Sequence, residues 1–269
     1  MEEWMTDFAK YLKYQNPVLV DQDEENEPSP TDLLQAAIIR NLQLFADKDE
    51  EPFLPYLSNF ATLVWNLLVN VTALPKHDVL ATTSIRFLSS LVKKLMHKDL
   101  FKDEATLRQI VGNIVIPNLM FRESDEERFE DDPSEFVLQE VEGSSSETRR
   151  RCSQDLLKAM CFQFENETTA ICSEHVTAML AEANADPANK WAAKDAAVGY
   201  NAIRCVVLVK KKNRKLRLNL PVISLLFLAL LLIHFIRYAD SSIHGYCHPQ
   251  GKQKRCLRSQ QRDHGSGRD

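Results

Sequence analysis

The chain has 269 residues, of which 44% are hydrophobic and only 7 are glycine, which allows a sizeable core and argues against an all-β fold with many tight turns. The net charge of −5 hides a division, because residues 1–198 hold 35 acids and 19 Lys and Arg, whereas residues 199–269 hold 3 acids and 14 Lys and Arg. We therefore treat the chain as two regions. The acidic region repels nucleic acid and attracts basic partners, so we expect no nucleic-acid binding there.

The first 30 residues predict one short helix and a linker. One face of the helix is apolar: Trp4, Phe8, Tyr11 and Leu12. Residues 15–30 then hold five acids followed by two prolines, a composition typical of a solvated loop. The tryptophans of this region are expected to be core aromatics: Trp4, Trp65 and Trp191.

Four helices with apolar stripes are predicted between residues 31 and 117. Thr31 and Asp32 are suited to cap the first, Asp78 the third and Asp103 the fourth. The clearest stripe belongs to the second helix: Phe53, Leu57, Phe60, Val64, Leu67, Leu68 and Val71. Pro117 is expected to end the fourth helix, because proline cannot donate to a helical carbonyl.

A long, strongly acidic connection follows at residues 117–151. It contains the bulky anchors Phe121, Phe129 and Phe136, and it ends in a run of three arginines. Long connections between helices tend to be functional, so this composition favours a protein-docking element over a spacer. The carboxylates lack the alternating spacing of a calcium loop, which leaves a solvated or docking segment as the better interpretation.

Two further helices and a short one are predicted from residue 152 to residue 198. Helices of 12–20 residues joined by short turns are typical of HEAT-type solenoids, in which each helical pair buries its apolar face against its neighbours. The spacing alone predicts an all-α fold of solenoid type. The cysteines within these helices, Cys152, Cys161 and Cys172, have no metal-ligand spacing and are expected to be buried thiols.

The region 199–269 contains a candidate membrane segment. Residues 210–217 hold six basic side chains in eight, and residues 218–236 contain no Asp, Glu, Lys or Arg. Nineteen helical residues span about 28 Å, close to the ~30 Å hydrocarbon core of a bilayer. The residues that would face lipid include the following: Leu218, Leu220, Leu225, Phe227, Leu230, Ile233 and Ile236. The basic cluster would hold its side of the membrane in the cytoplasm.

Three interpretations of this tail stay open. It is a single-pass membrane anchor, a buried helix of the solenoid, or the product of altered splicing that departs from the ancestral reading frame. A solenoid helix normally keeps a polar face, which counts against the second. The abrupt change of composition after residue 198 favours the third, and the third does not exclude the first.

Several ordered phrases carry a resemblance to a known family. Between residues 116 and 151 they are IPN, FR, DEE, FED, EGS and TRRR, and elsewhere they are EWM, WNLLV and KDAA. In this order they resemble the central part of the exportin-2 family, which belongs to the karyopherin-β superfamily of nuclear transport receptors. The resemblance covers residues 1–198. It implies a HEAT-repeat α-solenoid, an armadillo-like superhelix, of which this chain would be an interior fragment.

The resemblance also implies a function. Members of this family export importin-α from the nucleus together with Ran in its GTP state, and they move between nucleus, nuclear envelope and cytoplasm. Their central insert lies on the concave side and contacts Ran and cargo. The matching positions here are expected to make partner contacts: Asp125, Glu126, Glu127, Glu130, Asp131, Asp132, Arg149, Arg150 and Arg151. The family's main Ran-binding repeats precede the matched region, so we expect Ran binding by this chain to be weak or absent.

Two interpretations of the arginines at 149–151 are open. They form a solvated first helical turn, or they pair with carboxylates of a partner or of the insert itself. No phosphate-binding loop, dinucleotide fingerprint, nucleophile elbow or zinc-protease motif occurs in the chain, so we expect neither an enzyme nor a cofactor or metal site. The alternative to a transport-receptor fragment is a membrane-anchored helical scaffold, or a truncated splice product without export activity.

Overall fold

The computed structural model describes residues 1–16, 19, 26–142, 147–186, 190 and 192–200. The chain separates into the units Met1–Leu218 and Asn219–Asp269, and all described residues lie in the first. No strand occurs among the described residues, and the prediction of an all-α fold is confirmed there. The helices are α1 (Glu2–Leu12), α2 (Pro30–Lys48), α3 (Glu50–Asn70), α4 (Asp78–Lys93), α5 (Glu104–Ile110), α6 (Ile116–Leu119), α7 (Glu123–Asp131), α8 (Pro133–Glu142), α9 (Arg149–Gln163), α10 (Glu165–Ala185) and α11 (192–200).

Helix α4 is the centre of the packing. It contacts α2 on one side and α9 on another, so apolar residues around most of its circumference are buried. Helix α3 has a narrower stripe, in which Phe53, Leu57, Phe60, Val64 and Leu68 are buried as predicted, and Leu67 and Val71 are half-buried. A single apolar stripe is the pattern expected of a helix with one face toward the core and the other toward solvent.

The helix starts differ in part from the predicted caps. Asp103 accepts a hydrogen bond from the Thr106 N–H at 3.1 Å and caps α5 as expected. Ser29, not Thr31 or Asp32, caps α2, because Pro30 occupies the first helical position and Ser29 Oγ accepts from the Asp32 N–H.

Pro117 does not end the fourth predicted helix. The chain continues from α5 through a π-helical turn at Val111–Val115 into α6, which ends at Leu119. A π-turn adds a residue to the helical repeat, and it relieves the conflict between the proline ring and the preceding turn. Our prediction of a stop at residue 117 was therefore wrong by two residues.

The predicted core role of the tryptophans was wrong for Trp4, which is 63% exposed and makes a tilted ring contact with Phe8 at a centroid distance of 5.9 Å. Trp65 is half-buried against the core, and Trp191 lies outside the described residues. The cysteines at 152, 161 and 172 are buried free thiols, as predicted.

The candidate membrane segment at 218–236 lies outside the described residues and stays a prediction. Of the helices that the structure describes, none has the length and apolarity needed to cross a bilayer.

Candidate protein-binding site in the acidic insert

The acidic connection forms two helices rather than one extended loop. We refer to residues 120–148, between the end of α6 and the start of α9, as the insert; it contains α7 and α8. Helix α7 has the sequence ESDEERFED, with six acids and one arginine in nine residues. Its first turn is acidic, which suits the positive end of the helix dipole. The backbone N–H of Arg122 donates to Asp125 Oδ2 at 3.2 Å, which is one half of a capping box.

Arg122 fixes the start of the insert to the start of α4. Its Nη1 and Nη2 donate to the two carboxylate oxygens of Asp78 at 2.7 and 3.2 Å. Its Nε and Nη2 donate to Asp125 at 3.0 and 3.1 Å. Bidentate pairing of this kind is the strongest form of side-chain ion pair, because it combines charge with a fixed orientation.

Arg149 fixes the other end of the insert to the same aspartate. Its Nε lies 2.6 Å from Asp78 Oδ1, and its Nη atoms donate to the carbonyl oxygens of Thr72 and Leu74 at 2.8 and 3.0 Å. Asp78 therefore binds one arginine from each end of the insert. We call Asp78, Arg122, Asp125 and Arg149 the base cluster; it contains two positive and two negative groups.

Burial and ion pairing shift the pKa values of the two arginines of the base cluster in opposite directions. Desolvation opposes the charge of Arg122, but the hydrogen bonds with Asp125 and Asp78 outweigh it and raise the pKa of this guanidinium. Desolvation lowers the pKa of Arg149, and the nearby Asp78 only partly offsets it. An arginine stays protonated even then, because its ordinary pKa lies far above any working pH. Both guanidiniums of the cluster therefore stay charged.

Arg150 ties the first turn of α9 to α11. Its Nη2 donates to Asp195 Oδ2 at 2.9 Å, and its guanidinium lies over the Phe121 ring at 5.2 Å from the centroid. Both partners of the ion pair are buried, with Arg150 8% and Asp195 9% exposed. The contact with Phe121 adds a link to the insert itself.

Aromatic rings hold α7 and α8 together. The ring of Phe136 lies 5.5 Å from that of Phe121 and 5.6 Å from that of Phe129, and the guanidinium of Arg128 covers it at 5.6 Å. Edge and tilted ring contacts of this kind stabilise beyond the area that they bury. The three phenylalanines are thus internal anchors of the insert.

The outward side of the insert is an acidic face. Five carboxylates of α7 and its C-terminal end are exposed: Glu123, Glu127, Glu130, Asp131 and Asp132. Glu126 is half-buried, and Asp125 is 4% exposed within the base cluster. The acidic face therefore contains four of the six acids predicted to contact a partner, whereas Asp125 is directed to the interior.

The three arginines at 149–151 also differ from one another in burial and in their partners. Arg149 and Arg150 are buried in ion pairs within the chain, so a solvated first turn was the wrong interpretation for these two. Their carboxylates, Asp78 and Asp195, come from outside the insert. Arg151 is half-buried, and its backbone N–H donates to Thr148 Oγ1, which caps α9. Contact of these arginines with a partner stays a prediction, and the burial of Arg149 and Arg150 leaves them little surface for it.

Sequence reasoning missed the two residues that organise the site, Asp78 and Arg122. Asp78 was interpreted only as a helix cap, yet it begins α4 and uses both carboxylate oxygens for ion pairs. Asp78 lies 44 positions from Arg122 and 71 positions from Arg149 in the sequence. Contacts over such separations cannot be predicted from local periodicity. Within the described residues no group of His, Cys, Asp and Glu has the arrangement of a metal site.

Comparisons with known proteins connect this geometry to one family. The family model described as Cse1 matches residues 1–213. The exportin-2 of Pagrus major is 42% identical over 198 residues, which cover 74% of this chain and 20% of that protein. The human exportin-2 is 40% identical with the same coverage. A solved structure of the exportin Cse1 in its cargo-free, cytoplasmic state superposes with a TM-score of 0.72 at 32% identity, over 76% of this chain and 22% of that one. The chain spans about a fifth of the length of the curated relatives that it matches.

Proposed function

This chain belongs to the Cse1 family of exportins, and from that premise we propose that its helical region is a portion of a nuclear transport receptor whose insert binds importin-α. The acidic face supplies the contact, and basic segments of importin-α are the ligand. Ran in its GTP state is the second partner that the family resemblance implies, and we expect its binding to this chain to be weak. The proposed activity is binding and transport, with no catalytic step.

One observation carries the proposal: the carboxylates at the base of the insert and those on its acidic face differ in their surroundings. Those at the base have arginine partners, whereas those of the acidic face are exposed. Exposed charge of one sign on a rigidly held helix attracts a basic partner over a distance and selects against acidic ones. The base cluster and the aromatic anchors keep that helix in place, which lowers the cost of ordering it on binding.

The test is a set of charge-neutralising substitutions on α7. We expect the triple variant Glu127→Gln, Glu130→Gln and Asp131→Asn to bind importin-α on the order of tenfold more weakly at low salt, mainly through a slower association rate. The affinity of the variant should also fall less steeply with added salt. Surface plasmon resonance with the full chain measures both quantities.

A matched control removes the same charge elsewhere. Glu2, Glu3 and Asp7 are exposed on α1, and their replacement by Gln, Gln and Asn changes the net charge equally. If the control variant loses as much affinity as the α7 variant, binding depends on overall charge, and the acidic face is not the site. If importin-α does not bind the unaltered chain at all, the proposed partner is wrong.

A membrane-anchored scaffold is the second candidate, supported by the uncharged run at 218–236 and the six basic residues in 210–217. Carbonate extraction of membranes from cells that express the chain distinguishes the two. Retention in the pellet supports an anchor, and full release into the supernatant contradicts it.

A further inference from the structure

One exposed side of α1 contains aromatic side chains that the packing of the chain does not use. Helix α1 packs on α2 and α3, and it buries Met5 and Leu12. Trp4 is 63% exposed, and Tyr11, which lies seven positions later and therefore on the same side of the helix, is 40% exposed. Large aromatic side chains with this exposure are typical of protein interfaces, in which Trp and Tyr supply much of the binding energy.

The rings on this side are held in place by their own helix. Phe8 is half-buried against the core, and its ring centroid lies 5.9 Å from that of Trp4 in a tilted contact. Lys10 Nζ lies 5.5 Å from the centroid of the Tyr11 ring, so this ring also has a neighbour. Rings that are already positioned lose less conformational entropy when a partner binds.

The charges beside the two rings have opposite signs in the two halves of α1. Glu3, Asp7 and Lys10 follow one another at intervals of four and three positions, so they form one row next to Trp4 and Tyr11. All three charged side chains are exposed. Because the acids come first and the lysine last, this row is complementary to a copy of itself that runs in the opposite direction.

We propose that this side of α1 is the contact of a symmetric homodimer, in which the α1 helices of two copies pack antiparallel across a two-fold axis near Asp7. Trp4 of each copy then meets Tyr11 of the other, and Glu3 meets Lys10, so each contact is made twice. Asp7 lies within about one helical turn of Lys10 in both copies, which offsets the repulsion between the two Asp7 side chains. The contact lies outside the insert and is independent of its proposed partner.

The size of the contact sets the expected affinity. Stable protein interfaces bury about 1,200–2,000 Å² in total, and transient ones bury less. One short helix from each copy belongs to the transient class. We therefore expect a dissociation constant of roughly 10–100 µM for the homodimer.

The experiment is sedimentation velocity of the full chain from about 5 to 300 µM in a non-ionic detergent. Association through the tail contributes equally in all variants, so a difference between variants reports α1. We expect Trp4→Gln, Tyr11→Gln to weaken dimerisation on the order of tenfold or more. The control Phe162→Gln, Met96→Gln removes two apolar side chains that are 52% and 60% exposed elsewhere, and it should stay within about twofold.

Two results of this comparison overturn the proposal. One is an unaltered chain that stays monomeric at the highest concentration, which would leave the aromatic side of α1 to a partner other than a second copy. The other is equal weakening by the α1 variant and the control variant, which would mean that any loss of exposed apolar surface has the same effect.

An exchange of charges tests the antiparallel arrangement. Glu3→Lys, Asp7→Lys makes the row wholly basic, and Lys10→Glu makes it wholly acidic. We expect each variant alone to dimerise on the order of tenfold more weakly than the unaltered chain, and an equimolar mixture to recover the affinity within about threefold. A mixture of folded variants that stays as weak as its components overturns the proposal. Circular dichroism shows whether the variants fold, and the aromatic variant decides if they do not.

Discussion

The base cluster and the acidic face both contain carboxylates of α7, yet the two regions use charge in opposite ways. In the base cluster every carboxylate has an arginine partner, and the side chains of Arg122, Asp125 and Arg149 are at most 12% exposed, with Asp78 at 37%. On the acidic face the carboxylates are exposed and outnumber the cations. Buried charge must be matched, and exposed charge need not be. Position in the fold, not residue type, therefore determines whether a carboxylate is matched within the chain or left exposed to solvent.

Removal of Asp78 is expected to have the largest effect on the base cluster. The substitution Asp78→Ala leaves Arg122 and Arg149 without a shared partner, and the loss of one member of a buried ion pair is strongly destabilising. Since the Asp78 side chain is 37% exposed, we expect a loss at the low end, about 3 kcal/mol of unfolding free energy. Urea denaturation followed by circular dichroism measures it.

The control for that variant is Asp99→Ala. The Asp99 side chain is 87% exposed, and its only described ion pair is with Lys102 at 3.1 Å. We expect a change within about 0.5 kcal/mol. Equal effects of the two substitutions would mean that the base cluster contributes no more than an ordinary surface pair.

A pH titration tests a second buried group near the base cluster, because the first turn of α9 also buries the Cys152 thiol. Burial, with a smaller contribution from Glu147, raises the pKa of Cys152 from 9.0 to about 12. Above pH 9 the unfolded thiol ionises while the folded one stays neutral, so the contribution of Cys152 to stability is complete below pH 9 and falls as the pH rises toward 12.

We expect the loss from Cys152 to be about 1 kcal/mol at pH 10. The measurement is the difference in unfolding free energy between pH 8 and pH 10, in the unaltered chain and in Cys152→Ala. The alanine variant should lose less stability over that interval. A pH dependence identical in both chains would show that the thiol titrates alike in the folded and unfolded states.

The smallest expected effect concerns the acidic face itself. Glu130 lies in the last turn of α7, where a negative charge opposes the helix dipole. We expect Glu130→Gln to stabilise the chain by a few tenths of a kcal/mol. Thermal unfolding at low salt detects this as a small rise in melting temperature. A loss of more than about 0.5 kcal/mol in unfolding free energy would mean that Glu130 supports the structure and does not belong to the acidic face.

The parts of the fold that depend on local pattern were predictable from the sequence. The stripe of α3, the Asp103 cap and the buried thiols all follow from periodicity or from contacts three residues apart. The continuation through Pro117 was not predictable in this way, since a π-turn depends on how the flanking helices pack.

The candidate site was predictable only in part. The acids of α7 and the phenylalanine anchors were identified from composition, and the family resemblance marked the same segment. The distinction between Asp125 and Glu127 was not accessible, because it depends on which carboxylate meets Arg122. For the same reason Arg149 and Arg150 were open to two interpretations until their partners on α4 and α11 were seen.

The sharing of Asp78 by both ends of the insert has an evolutionary consequence. Because Asp78 holds the two ends of the insert together, the insert can change in length or sequence at a modest entropic cost. This cost grows only with the logarithm of loop length. Selection can thus alter which partner the insert recognises without a change in the packing of α4 against α9. The shared carboxylate thus separates a requirement of the scaffold from a surface that is open to change.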